Sequence, residues 1–168
     1  MRKRILLILV CLIMTGCSKE AVPAQTTTPT AEVSTQLANP WKDYDSLAEA
    51  ETASGLDFPM PETIADSYVA ESFRVMNGEL LEVRYRDGDF PVTVRMQTGE
   101  GHDLSGVYGE FENPHTFEVN GATIKVMSID AGVLQLISKD GYSYSLYAPN
   151  DYWGDSNIEF LQYIYDAK

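Results

Sequence analysis

The sequence predicts an α+β domain: an antiparallel β-meander of about seven strands, with a short N-terminal helix and a C-terminal helix packed on one sheet face. Two observations carry this expectation. Four dipeptides, Asn77-Gly78, Asp87-Gly88, Asn120-Gly121 and Asp140-Gly141, separate short runs in which apolar and polar residues alternate. Asn-Gly and Asp-Gly supply the positive φ angles of type I′ turns and are the strongest local hairpin signal. Outside the strand series lie two Ser-x-x-Glu spacings, Ser46 with Glu49 and Ser156 with Glu159. Each is the signature of a capping box, in which serine and glutamate satisfy unpaired N–H groups of a helix's first turn.

Taken in order, the first helix follows Ser46, with Leu47, Ala50 and Ala53 as its apolar stripe and Gly55 as its stop. Pro59 and Pro61 then forbid regular pairing and mark an extended crossing. The expected strands are 72–76, 80–85, 90–96, 116–119, 122–129, 133–138 and 142–148. In the third, Val92 and Val94 share one face while Thr93 and Arg95 share the other. In the last helix Ile158, Leu161, Ile164 and Tyr165 fall on one side and supply the apolar stripe. Neither helix buries its stripe without the sheet.

The N-terminus reads as an export signal. Arg2, Lys3 and Arg4 precede an uncharged apolar stretch, Ile5 to Met14. A membrane-spanning helix needs about 20 apolar residues, so this stretch is too short to be one. Thr15-Gly16-Cys17 then places small residues directly before a cysteine. With Met14 in the position usually held by leucine, this resembles the lipobox of bacterial lipoproteins, in which the cysteine thiol is lipidated after export. The resemblance implies a signal peptide over 1–16, an acyl anchor at Cys17, and a location on the extracytoplasmic face of the cell membrane. Cys11, the other cysteine, lies within the expected signal peptide. No disulfide or cysteine-based metal site is therefore expected in the mature chain.

Residues 17–38 comprise the expected lipidated cysteine and a tether rich in Thr, Ala, Ser, Gln and Pro, with little that could form a core. A flexible chain of this size reaches roughly 25 Å. Residues 39–168 then form the single α+β domain. Loss of Arg2, Lys3 and Arg4 leaves nine basic against 25 acidic residues, a net charge of −16. Such a balance disfavours nucleic acid, whose recognition requires basic surface. It also repels anionic headgroups, which leaves the acyl chains as the membrane contact. A cationic partner or divalent cations fit the charge, although solubility alone is the commoner cause of acidity.

Several phrases of the domain carry a second resemblance. They are Asn39-Pro40-Trp41 with Tyr44, residues 46–50, the crossing 58–61, the segment 77–85, Arg95 with the loop 103–108, and Tyr142 to Ser145. Together they resemble a family of secreted bacterial domains of unknown function, found in lipoproteins and in anti-sigma-factor-like membrane proteins, chiefly of Gram-positive bacteria. The resemblance spans nearly all of 39–168. It implies secretion and one α+β domain, and supplies no catalytic residue. Where similar sequences often place a tryptophan, this chain has Ile137-Ser138-Lys139.

The candidate chemistry is sparse. His102, Asp103 and Ser105 share one glycine-rich loop. A catalytic triad requires groups converging across a pocket, so Asx- and ST-type turn bonds are the expected role of Asp103 and Ser105. His102 and His115, the only histidines, lack a second ligand at helical or hairpin spacing, and no metal or other cofactor is expected. Asp87, Asp89, Asn150, Asp151 and Asp155 offer oxygens but no calcium-loop spacing. Paired carboxylates would suit an envelope hydrolase, although 25 acidic residues make such pairs unspecific.

The aromatics form the better candidate recognition surface: Tyr108 and Phe111 in the central loop, Tyr142 and Tyr144 on one strand face, and Tyr152 and Trp153 before the last helix. Rings at a surface stack on sugars or grip peptides. The expected function is thus a lipid-anchored, non-enzymatic binding or sensory module with an envelope protein, peptide or glycan as partner. The alternatives are an envelope hydrolase using dispersed carboxylates and a regulatory partner of another membrane protein.

Overall fold

Each alternating run of the sequence pairs with a neighbour in a single nine-stranded sheet, seen in a computed structural model that describes residues 38–129, 132–149 and 156–167. The strands are β1 (Trp41–Tyr44), β2 (Thr63–Ile64), β3 (Tyr68–Met76), β4 (Leu80–Asp87), β5 (Phe90–Thr98), β6 (Glu112–Val119), β7 (Ala122–Ile129), β8 (Gly132–Lys139) and β9 (Tyr142–Pro149). Two helices, α1 (Leu47–Ser54) and α2 (Ser156–Asp166), flank them. The sheet is antiparallel, and the predicted α+β class is correct.

The connectivity departs from a simple meander. The strand order is β1-β3-β4-β5-β9-β8-β7-β6, with β2 paired to β3. Two meandering runs, β3–β5 and β6–β9, are therefore joined by pairing of β5 with β9. Burial explains the order. Strand β9 has Tyr144, Leu146 and Ala148 buried on one face and Ser143 and Ser145 buried on the other, as suits a central strand. Strand β6 is exposed along nearly its whole length and carries Pro114 beside a register shift, which suits an edge. The two strands beyond the expected seven, β1 and β2, are short and pair with β3.

Three of the four turn dipeptides behave as their sequence implies. Asn120-Gly121 and Asp140-Gly141 have positive φ at both positions and join directly paired residues, the type I′ geometry. Asn77 and Gly78 also have positive φ, within a three-residue connection between Met76 and Leu80. The fourth turn is shifted by one residue. Asp87 pairs with Phe90, so Gly88 and Asp89 are central and, of these, only Gly88 has positive φ.

One face of the sheet is apolar. Phe73, Val75, Leu81, Val83, Tyr85, Val92, Val94, Met96, Tyr144 and Leu146 lie on it, following the observed registers. Helix α1 covers the β3–β4 end through Ala50. The Ser46 side chain accepts from the Glu49 N–H, and Gly55 ends the helix in a left-handed conformation. The crossing segment adds Phe58 and Met60, and the Tyr85 hydroxyl donates to the Pro61 carbonyl at 2.9 Å.

Helix α2 docks by Phe160 and Ile164, both fully buried. Phe160 meets Tyr68 and Tyr85 edge-on, each at 5.3 Å between ring centroids. Here the expected stripe needs correction. Ile158 points outward and is 65% exposed, while Phe160, outside that stripe, is the anchor. The helix is rotated to place its one fully buried ring between two tyrosines.

The opposite, outer face is polar along β3–β5, where Arg74, Glu82, Arg84, Thr93 and Arg95 project. The connection from β5 to β6 crosses the outer face over β9 and β8. His102 N–H donates to Ser143 Oγ, Gly101 N–H to Ser138 Oγ, and Ser143 Oγ to the Gly99 carbonyl.

Candidate functional site

The concavity that gathers most chemistry lies at the end of the β8–β9 hairpin, on the core side of the sheet. Alternation along β8 points Val133, Gln135, Ile137 and Lys139 to the same face as Tyr142 and Tyr144 of β9. The tight turn at Asp140-Gly141 brings these strand ends beneath the last turn of α2. The crossing segment closes the other side at Asp57 and Pro59. The result is a cavity of about 270 Å³ lined by Asp57, Lys139, Tyr142, Tyr144, Tyr163 and Asp166, with Met96 among its apolar walls.

Lys139 is nearly buried, with a side chain 7% exposed. Its ammonium donates to Asp140 Oδ2 and, at 2.6 Å, to the Ala167 carbonyl. A cation at that carbonyl satisfies a group at the end of α2 that has no helical donor, and it complements the helix dipole. The lysine thus pins the helix end to the hairpin and holds the cavity's shape. Its charge answers one of three carboxylates in the lining, Asp57, Asp140 and Asp166. Among the described residues the lining therefore carries a negative balance.

The tyrosines grade from inside to outside. Tyr144 is buried, Tyr142 is half-buried 6.4 Å away between ring centroids, and Tyr163 is exposed at the rim. Burial pushes the Tyr144 hydroxyl up to about 12, with Tyr142, Asp140 and Asp57 adding to the effect. Tyr144 therefore remains a neutral phenol. Aromatic faces beside carboxylates form an arrangement that attracts an ammonium group by cation–π and charge interactions.

The aromatic residues expected to form one recognition surface lie on opposite faces of the sheet. Tyr142 and Tyr144 line the cavity. Tyr108 is 96% exposed on the connection that crosses the outer face. Phe111 borders a separate outer-face groove with His102, Lys125 and Leu136. Tyr152, Trp153 and Cys17 lie outside the described residues.

Sequence reasoning missed Lys139, Tyr163, Asp57 and Asp166. Of these, Lys139 left a legible signal: it continues the inward alternation of Val133 and Ile137, an unusual place for a charge. Tyr163 and Asp166 lie beside the inward stripe of α2, and their role depends on how the helix docks.

The loop with His102, Asp103 and Ser105 has the turn bonding expected of it. Asp103 Oδ1 accepts from the Ser105 N–H at 3.0 Å and from its hydroxyl at 2.6 Å, and Ser105 Oγ accepts from the Val107 N–H. Among the described residues no group of three or more His, Asp or Glu side chains could hold a metal ion. No known family, curated protein or solved structure matches the chain.

Proposed function

We propose that this chain is a lipid-anchored extracytoplasmic binding module, and that its tyrosine-lined cavity takes an amine-bearing ligand such as a lysine side chain of an envelope peptide. The observation that carries the reading is the cavity's composition. Three tyrosines and a carboxylate excess surround a space of about 270 Å³, while the resident lysine is already bonded. That size suits a side chain or a small headgroup. The leader, the cysteine and the tether, as read from sequence, put such a site beyond the membrane surface, where the lipid supplies attachment and the domain supplies selectivity.

The reading is tested by calorimetric titration of the mature protein with a short lysine-containing peptide and with the same peptide acetylated on lysine. The expected result is saturable binding of the first, at least tenfold weaker binding of the second, and recovery of the peptide uncleaved. Equal affinity for both peptides contradicts the ammonium site. Cleavage of the peptide contradicts a binding-only role.

A further inference from the structure

Beyond the expected leader the chain has four arginines, Arg74, Arg84, Arg86 and Arg95, and all project from the outer face of β3–β5. Three surround Glu82, whose side chain has no exposed surface. Arg74 Nε and Arg84 Nε each donate to Oε1 at 2.9 Å, and Arg95 Nε donates to Oε2 at 2.8 Å. Arg95 is fully engaged: its Nη2 also meets Oε2, and its Nη1 donates to the Leu104 carbonyl at 2.7 Å. Gly106 makes room for that bond. Its φ is +61°, and a Cβ there would come 2.8 Å from Arg95 Nη1.

One arginine neutralises one carboxylate, so Arg74 and Arg84 bring two positive charges more than Glu82 requires. Arg86 is paired with Glu71 at 2.8 Å, and Asp43, opposite Arg74 in the register, makes no ion pair with it among the described residues. The outer Nη groups of Arg84, and Nη1 of Arg74, have no protein acceptor among the described residues, and the Arg84 side chain is 45% exposed. Trp41 forms a wall, its ring 4.7 Å from the Arg74 guanidinium and 5.4 Å from that of Arg95. Ser72 and Thr93 flank Arg84 across the strands and offer hydroxyls. In a chain this acidic, two surplus guanidiniums are bonded side by side to one oxygen of a buried carboxylate, Arg74 with its side chain 19% exposed and Arg84 with 45%. The two Nη groups of Arg84 form a planar donor fork that matches the paired oxygens of a phosphate group, and Nη1 of Arg74 adds a further donor.

We propose that Arg74, Arg84 and Trp41 form a binding site for a tetrahedral oxyanion of the phosphate class, carried on a soluble ligand or on a lipid headgroup. The site is separate from the tyrosine cavity, being on the other face of the sheet, and its test does not depend on that reading. The mature full-length chain carrying Trp153→Phe, which leaves Trp41 as its only tryptophan, is titrated with inorganic phosphate at an ionic strength held constant with sodium chloride. The expected result is a saturable change in Trp41 emission that chloride alone does not produce. Arg84→Gln should weaken it at least tenfold while leaving the melting temperature without phosphate within a few degrees. The same titration followed as a phosphate-dependent rise in the melting temperature of the unsubstituted protein needs no variant. Identical responses to phosphate and chloride, or equal phosphate affinity in Arg84→Gln, would overturn the site. Sedimentation with phosphatidylcholine vesicles containing phosphatidic acid, using a Cys17→Ser chain, separates the sources. Arg84-dependent sedimentation identifies a lipid phosphate, and phosphate binding without it identifies a soluble one.

Discussion

Replacing Phe160 with alanine should detach α2 and dismantle the cavity it helps to form. The ring is fully buried and sits edge-on between Tyr68 and Tyr85. Phe→Ala in a core costs about 3–5 kcal/mol, through lost transfer energy and the void left behind. Two edge-to-face contacts, each worth about 0.5–1.5 kcal/mol, put this site at the upper end of that range. A domain of this size has about 5–15 kcal/mol of stability in total, so the loss is a large share of it. Ile158, two residues away on the opposite side of the helix and 65% exposed, should cost no more than about 0.5 kcal/mol as alanine. Urea unfolding followed by far-UV circular dichroism measures both variants against the parent chain. A loss below about 1.5 kcal/mol for Phe160→Ala, or equal losses for the two variants, would refute the docking of α2 described above.

Two further outcomes follow from buried groups elsewhere. Burial opposes ionisation of Glu82, but hydrogen bonds and charge from Arg95 and Arg74 outweigh it and hold the carboxyl below its ordinary value of 4.5. A group with a depressed folded value contributes its stability in full above the ordinary value and loses it as pH falls through the folded one. Acid unfolding of the parent should therefore steepen below about pH 4.5. Glu82→Gln should lose about 3 kcal/mol at neutral pH and show a shallower acid slope; parallel slopes in the two proteins would count against the ion-paired hub. At Gly132, φ is +152° and a Cβ would lie 2.2 Å from the Ala148 carbonyl oxygen. Both partners are backbone, so Gly132→Ala should lower stability by more than about 2 kcal/mol; thermal unfolding coincident with the parent's would contradict that close approach.

What the sequence reveals follows the range of each interaction. Turn dipeptides and the Ser46 N-cap act within a few residues, and the strands and α1 appear where these place them. Strand order depends on which runs are buried on both faces. The alternation of β9 looks like that of its neighbours, yet Ser143 and Ser145 are buried on the outer face, Ser143 bonded to the crossing connection, and the meander expected from sequence gives way to β5–β9 pairing. The rotation of α2 is decided by the fit of Phe160 between Tyr68 and Tyr85, residues remote in sequence. For the same reason two of the six candidate aromatics, Tyr142 and Tyr144, meet Tyr163 and Lys139 in one cavity, while Tyr108 and Phe111 lie on the other side of the sheet. The carboxylate hub at Glu82 was illegible because Arg74, Arg84 and Arg95 come from three strands, and only the pairing register superimposes them.

Recognition at the proposed tyrosine cavity is open to chemical-shift mapping of the lysine peptide on the isotopically labelled mature protein. The expected result is perturbations concentrated at Tyr142, Tyr144, Tyr163 and Asp57, and a roughly fivefold loss of affinity in Tyr163→Ala, the factor for a cation–π contact worth about 1 kcal/mol. Perturbations spread evenly over the acidic surface, with Tyr163→Ala binding as tightly as the parent, would contradict it.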